Sequence, residues 1–474
     1  MKVGLLILLG FVAPLCLCGE TTAVERPNVV FILCDNLGYG DVGCFGSTLH
    51  RTPNIDRLAA EGLKLTHYYS ASGVCSPSRS ALMTGCYPLR VGLHISGTGQ
   101  AVLKPLDQLG IAATEFTLGE LFQSQGYATK IIGKWHLGDQ PEFLPTRHGF
   151  DSYFGIPYSE DMTQEKGVGW PPLPLMRDET VIEAPPDRDL LTQRYTKEAV
   201  EFITAHQEKP FFLYFPEATP GSERTSFASP AFKGKSKNGL YGDAVEELDW
   251  SAGEILATLK KLGLDEKTLV VWTSDNGAVR RDPQQGSNAP LGGFGYSTNE
   301  GGQRMPCLVR WPGRIDAGRK SAELTTMMDW LPTFAKLLGG ELRSDKKIDG
   351  RDIGPIIWGD GTIDGRPAKS PHEAFYFYQR EQLQAVRVGR WKLHLPLTKP
   401  LRVGKPGTTR PAALYDIVAD PGESQNVMAE HADVVAELTA AAEQARDDLG
   451  DLGRVGKNVR APGRVENPTP RLLP

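Results

Sequence analysis

Apolar, strand-like runs that end abruptly in polar or glycine-rich turns, with amphipathic stretches between them, constrain this chain more than any other feature. Residues 28–33 (NVVFIL) run into Cys34-Asp35-Asn36, and residues 127–132 (YATKII) run into Gly133-Lys134-Trp135-His136. Residues 210–215 and 268–273 are two more such runs. Between them Val245, Leu248, Ala252, Ile255, Leu256 and Leu259 recur at helical spacing, with Gly263 near the end. Strands alternating with helices predict an α/β fold: a large, mostly parallel sheet covered by helices on both faces. In such sheets ligands collect beyond the carboxyl ends of the strands, where this chain keeps its polar clusters. A catalytic domain is expected over residues 24–360.

After about residue 360 the texture changes. Residues 373–378, 383–388 and 391–395 read as short antiparallel strands, and a helix follows around 433–449. This predicts a smaller α+β subdomain over residues 361–460, acting as a lid or wall for the site. Prolines at 462, 468, 470 and 474 suggest a loose tail over 461–474.

The 57 acidic and 52 basic side chains nearly balance, for a net charge of -5. That argues against a nucleic-acid binder, so an anionic substrate needs a focused local site. Lys2 precedes an apolar run over residues 4–17 that is too short to span a bilayer. It reads as a signal peptide over residues 1–23, with cleavage near Cys16 and Cys18 or near Thr21 and Ala23. A buried N-terminal helix is the alternative. No later segment reads as membrane-spanning, which predicts an exported protein, secreted or periplasmic. Cys34, Cys44, Cys75, Cys86 and Cys307 then remain, an odd number with no C-x-x-C pair, so neither a zinc ribbon nor a dense disulfide framework is expected. A single disulfide stays open.

The strongest local signal is Cys75-Ser76-Pro77-Ser78-Arg79, continuing Ser80-Ala81-Leu82-Met83-Thr84-Gly85. Proline just after a cap-like serine, then small and apolar residues, reads as the first turn of a helix. Cys75 would sit at its N-terminus, where backbone N–H groups favour anions. Asp35-Asn36 and Asp275-Asn276 end two strands. Four oxygen donors without histidine suit a hard cation such as Ca²⁺ rather than zinc. Lys134 and His136, two apart, would face the same side in an extended segment.

C-x-P-S-R followed by T-G resembles the signature of the type I sulfatases, arylsulfatase type, within the alkaline-phosphatase superfamily. The resemblance extends from Asn28 (NVVFILCDNLGYGD) through Thr52 (TPNIDRLA), Gly133 (GKWHLG), His148 (HGFD), Tyr241 (YGDAVEELD), Ser274 (SDNG), Glu300 (EGG) and Leu414 (LYD). It implies a sulfuric ester hydrolase whose Cys75 is oxidised by a formylglycine-generating enzyme to Cα-formylglycine, the nucleophile as its hydrate. It implies Ca²⁺ held by Asp35, Asn36, Asp275, Asn276 and the modified Cys75. Lys134 would contact the sulfate, Arg79 would steady the formylglycine, and His136 would accept a proton as the aldehyde reforms. The implied substrate is a sulfated small molecule or glycan. A cysteine phosphatase is excluded, because it needs arginine six residues after the cysteine and position 81 is alanine. The zinc phosphatase branch lacks its histidine ligands here, while formylglycine-dependent phosphonate or phosphodiester hydrolases stay open.

Three positions depart from the family pattern. Asn36 replaces a carboxylate, which predicts weaker metal affinity. The usual active-site histidine falls at Pro220 or Gly221, and the usual lysine at Gly295. Two readings follow: an active sulfatase that recruits replacements from His94, Glu223 or Arg224, or an attenuated or non-catalytic relative that binds sulfated glycans. His94 is carried as a substrate-binding candidate.

Overall fold

The structure, a computed structural model, describes residues 26–222, 226–342, 345–359, 362–363, 366–401 and 409–474. The leader expected over 1–23, with Cys16 and Cys18, and the candidates Glu223 and Arg224 lie outside them. Among the described residues the main sheet has 11 strands. Its centre is five parallel strands in the order Thr268–Ser274, Asn28–Asp35, Phe211–Pro220, Ala128–Lys134 and Ser152–Ile156. Arg304–Arg310 joins Thr268–Ser274 antiparallel and carries Leu63–Tyr69 on its other side. Leu175–Arg177 and Thr180–Glu183 close the opposite edge as antiparallel strands. The mixed sheet with parallel centre matches the expected class.

Both faces of the sheet are buried, and side chains alternate between two cores. Val29, Phe31 and Leu33 join one core; Val30, Ile32 and Cys34 join the other. The second core takes Val245, Leu248, Ala252, Ile255, Leu256 and Leu259, the predicted apolar stripe of the helix Gly239–Lys261. The first takes Ala81, Leu82 and Met83 from the helix Cys75–Thr84 and Trp330, Leu331 and Phe334 from Trp330–Leu338.

The C-terminal unit is a four-stranded antiparallel sheet of Phe375–Gln379, Gln382–Val388, Trp391–His394 and Ala413–Asp416, with the helix Ala432–Asp448. Phe375, Phe377, Leu383, Leu393, Leu438 and Ala442 share the first core, so the unit is fused to the catalytic domain. Residues 461–474, expected to be loose, are held down. Gly463–Arg464 pairs antiparallel with Leu109–Gly110, and Thr469 N donates to Gln140 Oε1 at 2.7 Å. The prolines bar a helix there, but they leave enough N–H groups for edge pairing. All five described cysteines are free, and among the described residues no helix is long and apolar enough to cross a membrane.

Two local features position the catalytic face. Gly133 has φ +125°, and a Cβ there would meet the Pro216 carbonyl oxygen at 1.9 Å. A Cβ on its neighbour Gly155 would meet Gly133 O at 1.8 Å. The strands therefore approach closely just where Lys134 leaves the sheet. Gly133→Ala should destabilise the protein by more than about 1 kcal/mol, read as a lower thermal midpoint, because the clash is with backbone.

The second feature is Arg90, fully buried, whose Nη2 meets Asp349 Oδ1 at 2.6 Å and Asp448 Oδ2 at 2.7 Å. It ties the C-terminal helix to the loop that follows the helix Cys75–Thr84. Arg90→Met leaves both carboxylates short of their cation and should cost roughly 3 kcal/mol, the low end for a broken buried pair. Burial pushes the Asp448 carboxyl up, but Arg90, Lys347 and Asn458 together hold it well below its usual range. Its stabilisation is therefore present above about pH 4 and lost as pH falls toward the depressed value. The gap in urea midpoint between wild type and variant should narrow below that pH.

Candidate active site

All five central parallel strands deliver polar residues at their carboxyl ends. Asn28–Asp35 ends in Asp35 and Asn36, Thr268–Ser274 leads into Asp275 and Asn276, and Ala128–Lys134 ends in Lys134. Ser159, Glu160 and Asp161 follow Ser152–Ile156, and Ser222 follows Phe211–Pro220. The helix Cys75–Thr84 opens on Cys75 above this edge. Its N-cap is Val74, without a side-chain cap, rather than the expected serine.

Arg79 holds the site together. Its Nη2 donates to Asp35 Oδ1 at 3.0 Å and to Asp275 Oδ2 at 2.9 Å, its Nε to Asp275 Oδ2 at 3.0 Å, and its Nη1 to the Lys134 carbonyl at 2.6 Å. Lys134 Nζ donates to Asp35 Oδ1 at 2.8 Å and to Ser159 Oγ at 2.9 Å. All these side chains except Ser159, itself buried, are 0% exposed. Burial alone would raise the Asp35 carboxyl, but Lys134 and Arg79 hold it well below the carboxylate range. Asp275 is raised by burial and then by the Asp35 charge. Two carboxylates this close compete for the same cations.

Asp35, Cys75 and Asp275 each place a ligand atom within 4.8 Å of the others. Asn36 adopts φ 60°, a left-handed conformation that asparagine tolerates. Its N–H donates to Asp275 Oδ1 at 3.1 Å, and its Nδ2 donates to Asp35 Oδ2 at 3.3 Å and to Ser222 Oγ at 3.0 Å. Asn276 Nδ2 donates to Asn36 Oδ1, while Asn276 Oδ1 is buried without a partner. An orphaned amide oxygen beside two buried carboxylates fits a hard, oxygen-loving cation such as Ca²⁺.

Burial, then Asp35, pushes the Cys75 thiol well above its ordinary pKa. The helix N-terminus alone would favour a thiolate, but burial and a carboxylate outweigh it. A plain cysteine here is a poor nucleophile. His136 has φ 63°, so Lys134 and His136 do not lie in one extended segment as expected. His136 Nε2 sits 3.0 Å from the Leu103 carbonyl and must carry the proton, which leaves Nδ1 bare and without a partner. Burial, then Lys134 and Arg79, keeps the ring neutral.

Of these groups Cys75, His136, Ser159 and Ser222 border a cavity of about 130 Å³, lined also by Val74, Lys104, Asp161 and Tyr296 among others. A larger cleft of about 300 Å³, lined by Thr163, Pro172, Arg188 and Phe227 among others, holds none of them. His94 is not among the cavity's lining residues; the charge acting on it is Glu381, at the turn before Gln382–Val388. Among the described residues the C-terminal unit contributes none of the cavity's lining residues, and its Arg380 Nη1 donates to the Gly99 carbonyl at 3.1 Å, beside the lining residue Gln100. It supports the site from behind: Lys392 Nζ meets Glu300 Oε1 at 3.0 Å and Glu423 Oε1 at 2.9 Å.

At the two departing glycines neighbouring atoms fill the space a side chain would need. Gly221 has φ +82°, and a Cβ there would meet Glu160 Oε1 at 2.4 Å; Gly295 would meet the Gly277 carbonyl at 2.2 Å. Pro220 ends its strand in register with Asp35. The next residues, Ser222 and Tyr296, reach the cavity instead. Sequence reasoning missed Lys104, Ser159, Glu160, Asp161, Ser222 and Tyr296. Only the three that follow residues 152–156 had a signal: a short apolar run ending in polar residues.

The chain matches the family described as Sulfatase over residues 27–340, and the C-terminal region of aryl-sulfatase over residues 370–460. It is similar to N-acetylgalactosamine-6-sulfatase of Canis lupus familiaris, 40% identical over 391 residues that cover 79% of this chain and 73% of the relative. Arylsulfatase A of Bos taurus is 36% identical over 466 residues, covering 91% of this chain and 89% of that protein. A solved Bacteroides thetaiotaomicron sulfatase, from a locus for the metabolism of multiple glycosaminoglycans, aligns with a TM-score of 0.77. It is 29% identical and covers 89% of this chain and 99% of that one.

Proposed function

The chain belongs to the sulfatase family and is a sulfuric ester hydrolase, and we propose that it cleaves sulfate monoesters of carbohydrates through a Cα-formylglycine made from Cys75, with one Ca²⁺ bound. The observation that carries this reading is the convergence of Cys75, Asp35, Asp275, Arg79 and Lys134 on one buried cluster beside the unpartnered Asn276 Oδ1.

Asp35, Asn36, Asp275, Asn276 and the modified residue 75 would hold the cation. When bound, Ca²⁺ supplies a Lewis acid for a sulfate oxygen, and the aldehyde hydrate supplies the oxygen nucleophile that the buried thiol is not. Arg79 positions both aspartates and fixes the Lys134 carbonyl, so the carboxylates face the cation at fixed separation. Lys134 Nζ, already desolvated between Asp35 and Ser159, offers a rigid positive charge to the sulfate. His136, on the wall of the Cys75 cavity, would take a proton at its bare Nδ1 from the residue 75 hydroxyl. Cys75 is only 2% exposed, so a formylglycine-generating enzyme must act before folding is complete. This fits export through the leader over residues 1–23. The retained Cys75 separates this reading from simple glycan binding, which needs no convertible cysteine.

Co-expressed with a formylglycine-generating enzyme and loaded with calcium, the protein should release sulfate from at least some of a panel of sulfated sugars, with conversion confirmed by peptide mass. Cys75→Ala should abolish release while leaving the thermal midpoint near wild type; continued release by that variant would sink the mechanism.

Asp275→Asn should weaken calcium binding by roughly tenfold or more in a calorimetric titration, because it removes one of the two carboxylates in the site. An unchanged titration would remove Asp275 from the ligand set.

A further inference from the structure

The wall of the Cys75 cavity formed by Lys104 and Asp161 has no part in the chemistry above, yet both side chains are held there with unmet needs. Lys104 lies half-buried over the Trp170 ring, 5.6 Å from its centroid, and among the described residues no carboxylate is within ion-pair distance of its ammonium. Burial lowers its pKa, opposed in part by Asp161, then Cys75 and Asp107. Asp161 Oδ1 is buried without a hydrogen-bond partner, while its Oδ2 is 3.6 Å from Lys166 Nζ.

The backbone beside Lys104 is fixed by Ser76, His136 and Asp139. Leu103 N donates to Ser76 Oγ at 3.2 Å, the Leu103 carbonyl accepts from His136, and Leu106 N donates to Asp139 Oδ2 at 2.9 Å. A cation without a paired carboxylate among the described residues and a buried carboxylate oxygen without a hydrogen-bond donor, both on the wall of one small cavity with Cys75, complement a ring that carries hydroxyl donors and an additional negative charge. An aromatic or steroid alcohol would leave both unpaired.

Building on the reading of Cys75 as the reacting residue, we propose that Lys104 and Asp161 are specificity-determining residues. Lys104 binds a second anionic group, a carboxylate or a further sulfate, on a sulfated sugar whose scissile sulfate lies at Cys75, and Asp161 accepts a hydrogen bond from a hydroxyl of the same sugar. Neither residue takes part in bond breaking. The Trp170 ring lies against the Lys104 ammonium and supplies a cation–π contact beside the cavity.

The test separates binding from turnover. In a Cys75→Ala background, calorimetry would compare a sugar with one sulfate with two doubly anionic counterparts, one carrying a carboxylate and one a second sulfate. At least one doubly anionic sugar should bind more tightly than the singly anionic one, and the tighter arm identifies the partner group. Adding Lys104→Met should weaken that sugar by roughly 10- to 100-fold, as expected for a lost charge-assisted hydrogen bond, and the singly anionic sugar by less than threefold. Lys104→Arg should restore most of the preference. Equal weakening of all sugars, no weakening, or no binding of any sugar would overturn the inference. Absence of sulfate release by the converted wild type would instead overturn the proposed function, and leaves the binding comparison to be judged by itself.

Discussion

A single buried guanidinium, that of Arg79, is the interaction on which the rest of the site depends. It bridges Asp35 and Asp275 and grips the Lys134 carbonyl, so three strand ends and the helix Cys75–Thr84 are referenced to one planar group. Two carboxylates and two cations, Arg79 and Lys134, pair directly, and the buried Glu160 carboxylate lies 3.9 Å from the Lys134 ammonium. That pairing is what makes burial of these charges tolerable. A divalent cation added to these groups would raise the local positive charge, which suits an anionic sulfate ester. The chain's overall charge is slightly negative, so this attraction comes from a focused local field rather than from the surface.

Asn36 takes on a different meaning in this setting. As a replacement for a carboxylate it removes a metal-binding charge. As an amide it also donates to Asp35 and Ser222 while accepting from Asn276, which a carboxylate could not do. The loss of charge is thus accompanied by a gain in rigidity around the remaining ligands. The glycines at 221 and 295 are similar: the backbone and Glu160 occupy the space where a histidine or lysine would begin. The cavity is completed by neighbours instead, with Ser222 and Tyr296 as its walls and Lys104 as an added cation.

The C-terminal unit supports this arrangement at a distance. Glu300 opens the short helix Glu300–Gln303, just after the segment that carries Tyr296. Its carboxylate is bound by Lys392 and Tyr69, and its N–H by Glu423, which also accepts from His394. A fully satisfied buried network of this kind fixes one relative placement of two units. The antiparallel sheet therefore fixes the segment just after Tyr296, a residue of the cavity wall.

The sequence by itself determined the fold class, the five-residue signature at Cys75 and the pairing of Asp35-Asn36 with Asp275-Asn276. Hydrophobic periodicity and strand-end polarity are local properties, and a parallel sheet sends its strand ends to one edge whatever the loops do. The antiparallel strands beyond residue 360 and the helix Ala432–Asp448 were legible for the same reason. Tertiary structure alone decided which loop residues reach the cavity. His94 read as a substrate-binding candidate while Lys104 gave no signal, and residues 461–474 looked free, because neither backbone reversals nor long-range pairing leave a periodic trace. Leu103 is fixed to Ser76 and His136 by contacts 27 and 33 residues apart in the chain, and those contacts bring Lys104 to the cavity. The thiol of Cys75 shows the same division: its helix start was readable, but the carboxylates that oppose its ionisation come from other strands.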